Sequence, residues 1–151
     1  MSKRTRRRRG FTLVEVLLVV LILGMLAAVF IVGYGGIQQG AKIDTTRLKM
    51  KNIETALENY NLNVGHYPTE DEGGLKALRT KPTFDDEKLA EKWRGPYLRE
   101  DPTDAWDLDY NYQVLDSATA TELGIQFKIW SNGPDKQDGT EDDIRNWTEQ
   151  R

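Results

Sequence analysis

The chain has no cysteine, which excludes a disulfide framework and any thiolate metal site. It has a single histidine, His66. That excludes a zinc site built on a histidine pair and gives a Ser-His-Asp triad little support. His66 stands just before Tyr67-Pro68, at an expected turn, where a surface or packing role is the simpler reading. Charge is nearly missing from Gly10 to Ala41, where Glu15 is the sole charged side chain. No internal repeat is present, and no low-complexity segment beyond the run Arg6-Arg7-Arg8-Arg9. No constellation of residues supports catalysis, so the chain is not expected to be an enzyme.

The 151 residues allow one domain with a modest core. Net charge is −3, but the first ten residues hold six cations and no acid, so a chain begun at Phe11 carries −9. A nucleic-acid surface is therefore not expected. Clustered acids suit a divalent cation better.

The stretch Arg6-Arg7-Arg8-Arg9-Gly10-Phe11-Thr12-Leu13-Val14-Glu15 opens a segment, 11–32, that is apolar except for Thr12, Glu15 and Gly24. Such a helix has the length of a bilayer span, which takes about 20 apolar residues. An acid at mid-membrane costs roughly 2.5–3.5 kcal/mol, so Glu15 is expected to have a function. An ordinary secretory signal cut near Ala27-Ala28, a twin-arginine signal and a simple signal anchor are competing readings. None of the three gives Glu15 a purpose.

Arg9-Gly10-Phe11-Thr12-Leu13-Val14-Glu15 resembles the class III signal of type IV pilins and of the pseudopilins of type II secretion. The resemblance implies cleavage between Gly10 and Phe11 by a prepilin peptidase, N-methylation of the new Phe11 amine, and a role for Glu15 in assembly. Glycine before the cut leaves the backbone open to a peptidase, and the basic leader places the cut on the cytoplasmic face.

Gly33, Gly35, Gly36 and Gly40 follow the apolar segment. They predict either a soft zone in the helix or close packing of helices over small residues. Ile43, Met50, Ile53, Leu57 and Tyr60 then form one helical stripe, continuing the helix to about Leu62. Asn61, Asn63 and Gly65 end it. Thr69 and Glu72 form an expected capping box for a short helix through Leu75 and Leu78. Residues 82–106 show no period and read as a loop pinned by Trp93, Tyr97 and Trp106. Leu108, Tyr110, Tyr112 and Val114 alternate as one strand. Asp116-Ser117 begins a turn. Ile125, Phe127 and Ile129 alternate as a second strand, expected to end at Trp130 and to pair antiparallel with the first. The fold class is α+β: a long N-terminal helix packed on a small antiparallel sheet.

From Asp135 to Asp143 five carboxylates fall in nine residues. The spacing is not that of an EF-hand. On composition the loop is either solvated surface or a Ca²⁺ site of hard oxygen ligands.

Tyr67-Pro68-Thr69, Gly74-Leu75, Ala77-Leu78, Trp93, Gly95-Pro96-Tyr97-Leu98 and Ser131-x-Gly-x-Asp resemble the major pseudopilins of the type II secretion system. The resemblance runs from Gly10 to Trp147. It implies a leader at 1–10, a membrane and filament-core helix at 11–37, and a periplasmic domain at 38–151. The inner membrane would be crossed once. The implied function is that of a structural subunit of a periplasmic pseudopilus, with further copies of itself, minor pseudopilins, the inner-membrane secretion platform and the prepilin peptidase as partners. It also implies one bound calcium, with side-chain ligands Asp135, Asp142 and Asp143 and backbone carbonyls of Asn132 and Gln137. Asp138 and Glu141 would lie outside the ligand set. The chain departs from the family in Asp104-Ala105-Trp106-Asp107, where Asp-Pro-Trp-Gly is common. It departs again at Lys136, which stands where a glycine usually follows the first ligand aspartate, and in a shorter loop before Asp142. The alternatives are a type IV pilin or minor pseudopilin and, from another class, a membrane-anchored calcium-binding module with no filament role.

Overall fold

Helix α1 (Leu13–Val64) begins where the Thr12 hydroxyl accepts the N–H of Glu15 at 3.3 Å. That bond satisfies one of the amides a helix leaves open at its start. The computed structural model of the chain describes residues 11–148, with the backbone alone for 28–37. Gly10, and with it the expected cleavage junction, lies outside the described residues. α1 passes through the glycine cluster without ending. The two readings of that cluster turn on side chains at 28–37, outside those described.

The chain divides into two compact units, one up to Gln38 and one from Gln39 onward. In the first, every described side chain from Phe11 to Ala27 is exposed. Among the described residues no helix is long and apolar enough to cross a membrane. The rest of the apolar run, 28–37, is not among the described side chains.

In the second unit the α1 stripe is buried as its spacing predicts. Met50, Ile53, Leu57 and Tyr60 join a core completed by Ala56, Val64, Leu75, Leu78, Tyr110, Phe127, Ile129 and Ile144. Gly65 stops the helix in the left-handed region at φ 102°, where a side chain would be strained, and its N–H returns to the Asn61 carbonyl. The sheet orders its strands β1 (Asn111–Val114), β2 (Phe127–Ser131) and β3 (Ile144–Arg145), all antiparallel. The fold is α+β, with the long helix packed on the small sheet.

The spacing of seven between Ile43 and Met50 conceals a polar member of the stripe. Thr46 is fully buried. Its hydroxyl accepts the Ala105 N–H at 3.2 Å, and its carbonyl accepts the Tyr110 hydroxyl at 2.7 Å. Thr46→Val keeps the shape and removes the acceptor from a half-buried amide. A cost of about 1 kcal/mol is expected, read as a melting midpoint lower by roughly 4–8 °C. An unchanged midpoint would show that the hydroxyl contributes nothing.

The sequence pattern and the structure differ in several places. The first strand starts at Asn111, not Leu108, and Val114 at its end is exposed. Upstream, the Asp104 carboxylate takes the N–H groups of Trp106 and Leu108, and Thr103 bridges to Asp109, so that segment folds back on itself instead of extending the pairing with β2. The connection to β2 is not a plain turn: α3 (Ser117–Leu123) occupies it, with Asp116 accepting from Ala118 and Thr119 and Gly124 closing it at φ 68°. β2 runs one residue further than expected, through Ser131, where it pairs with the unforeseen β3. Residues 82–106 are pinned by aromatics as expected: the Trp93 indole donates to the Ala77 carbonyl, and Tyr60 and Tyr97 meet edge to face. The segment also carries α2 (Glu87–Lys92), one short helix capped by Asp86. Thr69 and Glu72 make the reciprocal capping-box bonds, but a turn and then a 3₁₀ helix, Gly74–Leu78, follow them rather than an α-helix.

His66 has the packing role expected of it. Its ring lies 2.8 Å from a carboxylate oxygen of Glu72, whose other oxygen accepts the Tyr60 hydroxyl at 3.1 Å.

Candidate functional site

The acidic loop connects β2 to β3, so the sheet holds it at both ends. Trp130 pairs with Arg145, and Ser131 with Ile144. Inside it, Asp135 Oδ1 accepts the Gln137 N–H at 2.8 Å. Asp142 Oδ2 accepts the Asp135 N–H at 3.1 Å, and Asp142 Oδ1 accepts the Thr140 hydroxyl at 2.6 Å. The Thr140 hydroxyl, with the loop amides, holds the Asp142 carboxyl below its ordinary range. The same hydroxyl lies 3.3 Å from the Gln137 carbonyl. Asp142 is thereby linked to the Asp135 amide and, through Thr140, to the neighbourhood of the Gln137 carbonyl.

Asp143 is turned elsewhere. Its Oδ2 accepts from the Gly139 N–H and from Arg145 Nη2, each at 3.0 Å. Its Oδ1 is buried with no hydrogen-bond partner, a costly state for a carboxylate oxygen unless something else binds there. The Asn132 side chain faces β1, accepting from Asn111 Nδ2 at 2.6 Å. Among the described residues no three His, Cys, Asp or Glu side chains converge on one point. The donor chemistry still suits a hard cation. Oxygen donors stand on one short loop, two aspartates are linked backbone to carboxylate, and a third presents an unsatisfied oxygen.

Asp138 is not a free solvent charge. The Trp130 indole donates to its Oδ1 at 2.7 Å. Trp130 in turn meets Trp147 edge to face at 5.7 Å. Thr140 and Arg145 were not legible as part of the site, although a hydroxyl and a cation within two residues of aspartates were the available signal. Both family departures at glycine positions prove to be conformational. Asp107 and Lys136 are the two non-glycine residues with positive φ among those described, each at 63°. That conformation strains a lysine by roughly 1–2 kcal/mol and is easier for aspartate.

At the other end of the chain, Phe11 is exposed and Glu15 lies in the first turn of α1, where the helix dipole favours an anion.

Comparison with known proteins joins these two ends. Residues 5–31 match the family described as prokaryotic N-terminal methylation motif. Residues 34–147 match the family described as type II secretion system (T2SS), protein G. The chain belongs to the type II secretion system protein G family. Its relatives include the type II secretion system core protein G of Pectobacterium carotovorum subsp. carotovorum, 40% identical over 93% of this chain and 85% of that one. The core protein G of Escherichia coli is 36% identical over 96% of this chain and 94% of that one. A solved protein G relative, the major pseudopilin from the type 2 secretion system of enterohaemorrhagic Escherichia coli, matches with a TM-score of 0.54 at 30% identity. That match covers 76% of this chain and 93% of that one.

Proposed function

We propose that this chain is a structural subunit, not an enzyme, that polymerises into the periplasmic pseudopilus of a type II secretion system. The observation that carries the reading is the pairing of two family matches along one chain, the methylation motif at 5–31 and protein G at 34–147. In this reading the apolar segment from Phe11 onward anchors the chain once in the bacterial inner membrane before assembly, with its C-terminal unit in the periplasm. Copies of the chain then pack those apolar faces together in the filament. Minor pseudopilins and the inner-membrane platform are its other partners.

Processing by a prepilin peptidase comes first. The intact mass of the membrane form should correspond to a chain starting at Phe11 with one added methyl. Gly10→Val should retain the leader, because a branched side chain obstructs the scissile bond. A start near Ala28 would favour an ordinary secretory signal instead. Overproduction together with the secretion apparatus should yield helical filaments visible by electron microscopy. A processed chain that never forms them would defeat the filament reading.

The acidic loop is proposed to hold one Ca²⁺ through Asp135, Asp142 and Asp143, with the Asn132 and Gln137 carbonyls. The support is the link from the Asp135 amide to the Asp142 carboxylate, the Thr140 hydroxyl between Asp142 and the Gln137 carbonyl, and the unpartnered buried oxygen of Asp143. Bound there, the cation would neutralise carboxylates that otherwise repel one another. Its role is structural.

A further inference from the structure

A buried carboxylate outside the acidic loop holds the turn from which that loop departs. Asp104 and Ser131 are both fully buried. Asp104 Oδ1 accepts the N–H groups of Trp106 at 2.8 Å and Leu108 at 2.9 Å, and its Oδ2 accepts the Ser131 hydroxyl at 2.6 Å. Ser131 Oγ in turn accepts the Gly133 N–H at 3.1 Å. Gly133 is left-handed at φ 65° and lies so close to the Asp142 backbone that a Cβ there would collide with the Asp142 carbonyl. The contacts therefore run without a gap from Asp104 through Ser131 and Gly133 to Asp142. Behind Asp104 the same segment is fastened to α1. Lys49 Nζ donates to the carbonyls of Thr103 at 3.1 Å and Asp104 at 3.3 Å, and Thr46 takes the Ala105 N–H.

We propose that Asp104 is a positioning residue for the metal in the acidic loop, acting through the Ser131 hydroxyl to hold Gly133 and, against it, Asp142. The proposal rests on the calcium reading above. Its physical basis is the direction of one proton. A serine hydroxyl donates once and accepts through its lone pairs. Because Asp104 Oδ2 can only accept when ionised, the Ser131 proton points at Asp104, and the lone pairs are left for Gly133. An asparagine at 104 could still serve Trp106 and Leu108. It would, however, present an N–H₂ to Ser131 and leave the serine proton without its buried acceptor. A loop whose departure turn is fixed beforehand loses less freedom when it closes on a cation, and that saving appears as affinity. Partners that orient metal-binding groups without touching the metal are worth roughly 10–100-fold in affinity.

Ser131→Ala and Asp104→Asn separate this role from plain core stability. Ser131→Ala leaves the α1 contacts of the 103–108 segment in place and removes the one hydroxyl that links Asp104 to Gly133. Calcium titration of the full-length chain in detergent should give Kd values raised roughly 10–100-fold in both variants. Metal-free Ser131→Ala should also exchange the Gly133 amide hydrogen faster than the parent chain does. Variants that melt lower in chelator yet keep the parent Kd and the parent Gly133 exchange would overturn the proposal, because Asp104 would then act on stability alone. If the parent chain binds calcium and both variants bind it equally well, the proposal fails while the calcium reading stands. A parent chain that binds no calcium defeats both. Should Asp104→Asn fail to fold, Ser131→Ala decides the question.

Discussion

Chelating calcium should lower the melting temperature of the C-terminal unit by roughly 10–20 °C. A ligand that binds only the folded form stabilises it by RT ln(1 + [L]/Kd), about 2.7 kcal/mol at 100-fold excess over Kd. The structure gives that stabilisation a place to act. Asp135 and Asp142 already meet through a backbone amide, and Asp143 keeps one oxygen buried and unpartnered. Without a cation the nearby carboxylates repel one another. Asp135→Ala and Asp142→Ala should each abolish the calcium-dependent shift. Glu141→Ala should leave it intact, since that side chain lies outside the proposed ligand set. Magnesium should substitute poorly, because it demands a rigid octahedron and gives up water reluctantly. Because β2 and β3 hold the loop at both ends, losing the ion should loosen the sheet edge too. Faster amide exchange at Ile144 and Arg145 would register it. A melting curve indifferent to chelator would reduce the loop to solvated surface.

Glu15→Ala should insert and be processed normally, yet form no filaments. After cleavage the Phe11 amine is a cation at the head of an apolar helix, and Glu15 is the sole acid before Asp44. In the proposed filament core the amine of one subunit and the Glu15 of its neighbour would offset each other's burial. Breaking such a pair leaves one charge uncompensated, at about 3–5 kcal/mol per subunit. That is roughly a hundredfold or more against each addition step, repeated along the polymer. Filaments at the parent yield from the alanine variant would rule this role out.

How far the fold could be read varied from element to element. The α1 stripe was legible because one face of a long helix repeats many times, and the buried Met50, Ile53, Leu57 and Tyr60 follow that repeat. Thr46 escaped because its burial depends on two partners more than 50 residues away. β3 escaped because two residues, Ile144 and Arg145, are too few to show a period. α3 was within reach: Asp116 before Ser117, Ala118 and Thr119, with Gly124 after, is a start and stop signal, but seven residues between two alternating strands also fit a turn. In the candidate site, residue types marked the acidic loop but not its geometry. That Asp142 meets Asp135 while Asp143 turns to Arg145 depends on the path of the loop between its ends.

By itself the sequence determined what chemistry is available. It supplied the isolated Glu15 in an apolar helix, the amphipathic stripe, the oxygen-rich loop and the lack of any thiol or histidine pair. These follow from residue type and short-range spacing, which need no partner to be read. Only the tertiary structure decided which oxygens meet. Asp104 reaches Ser131 across 27 residues, and Ser131 holds the turn that carries Gly133 against Asp142. Contacts of that kind are set by the close packing of the 103–108 segment between α1 and the end of β2, and no local pattern records them.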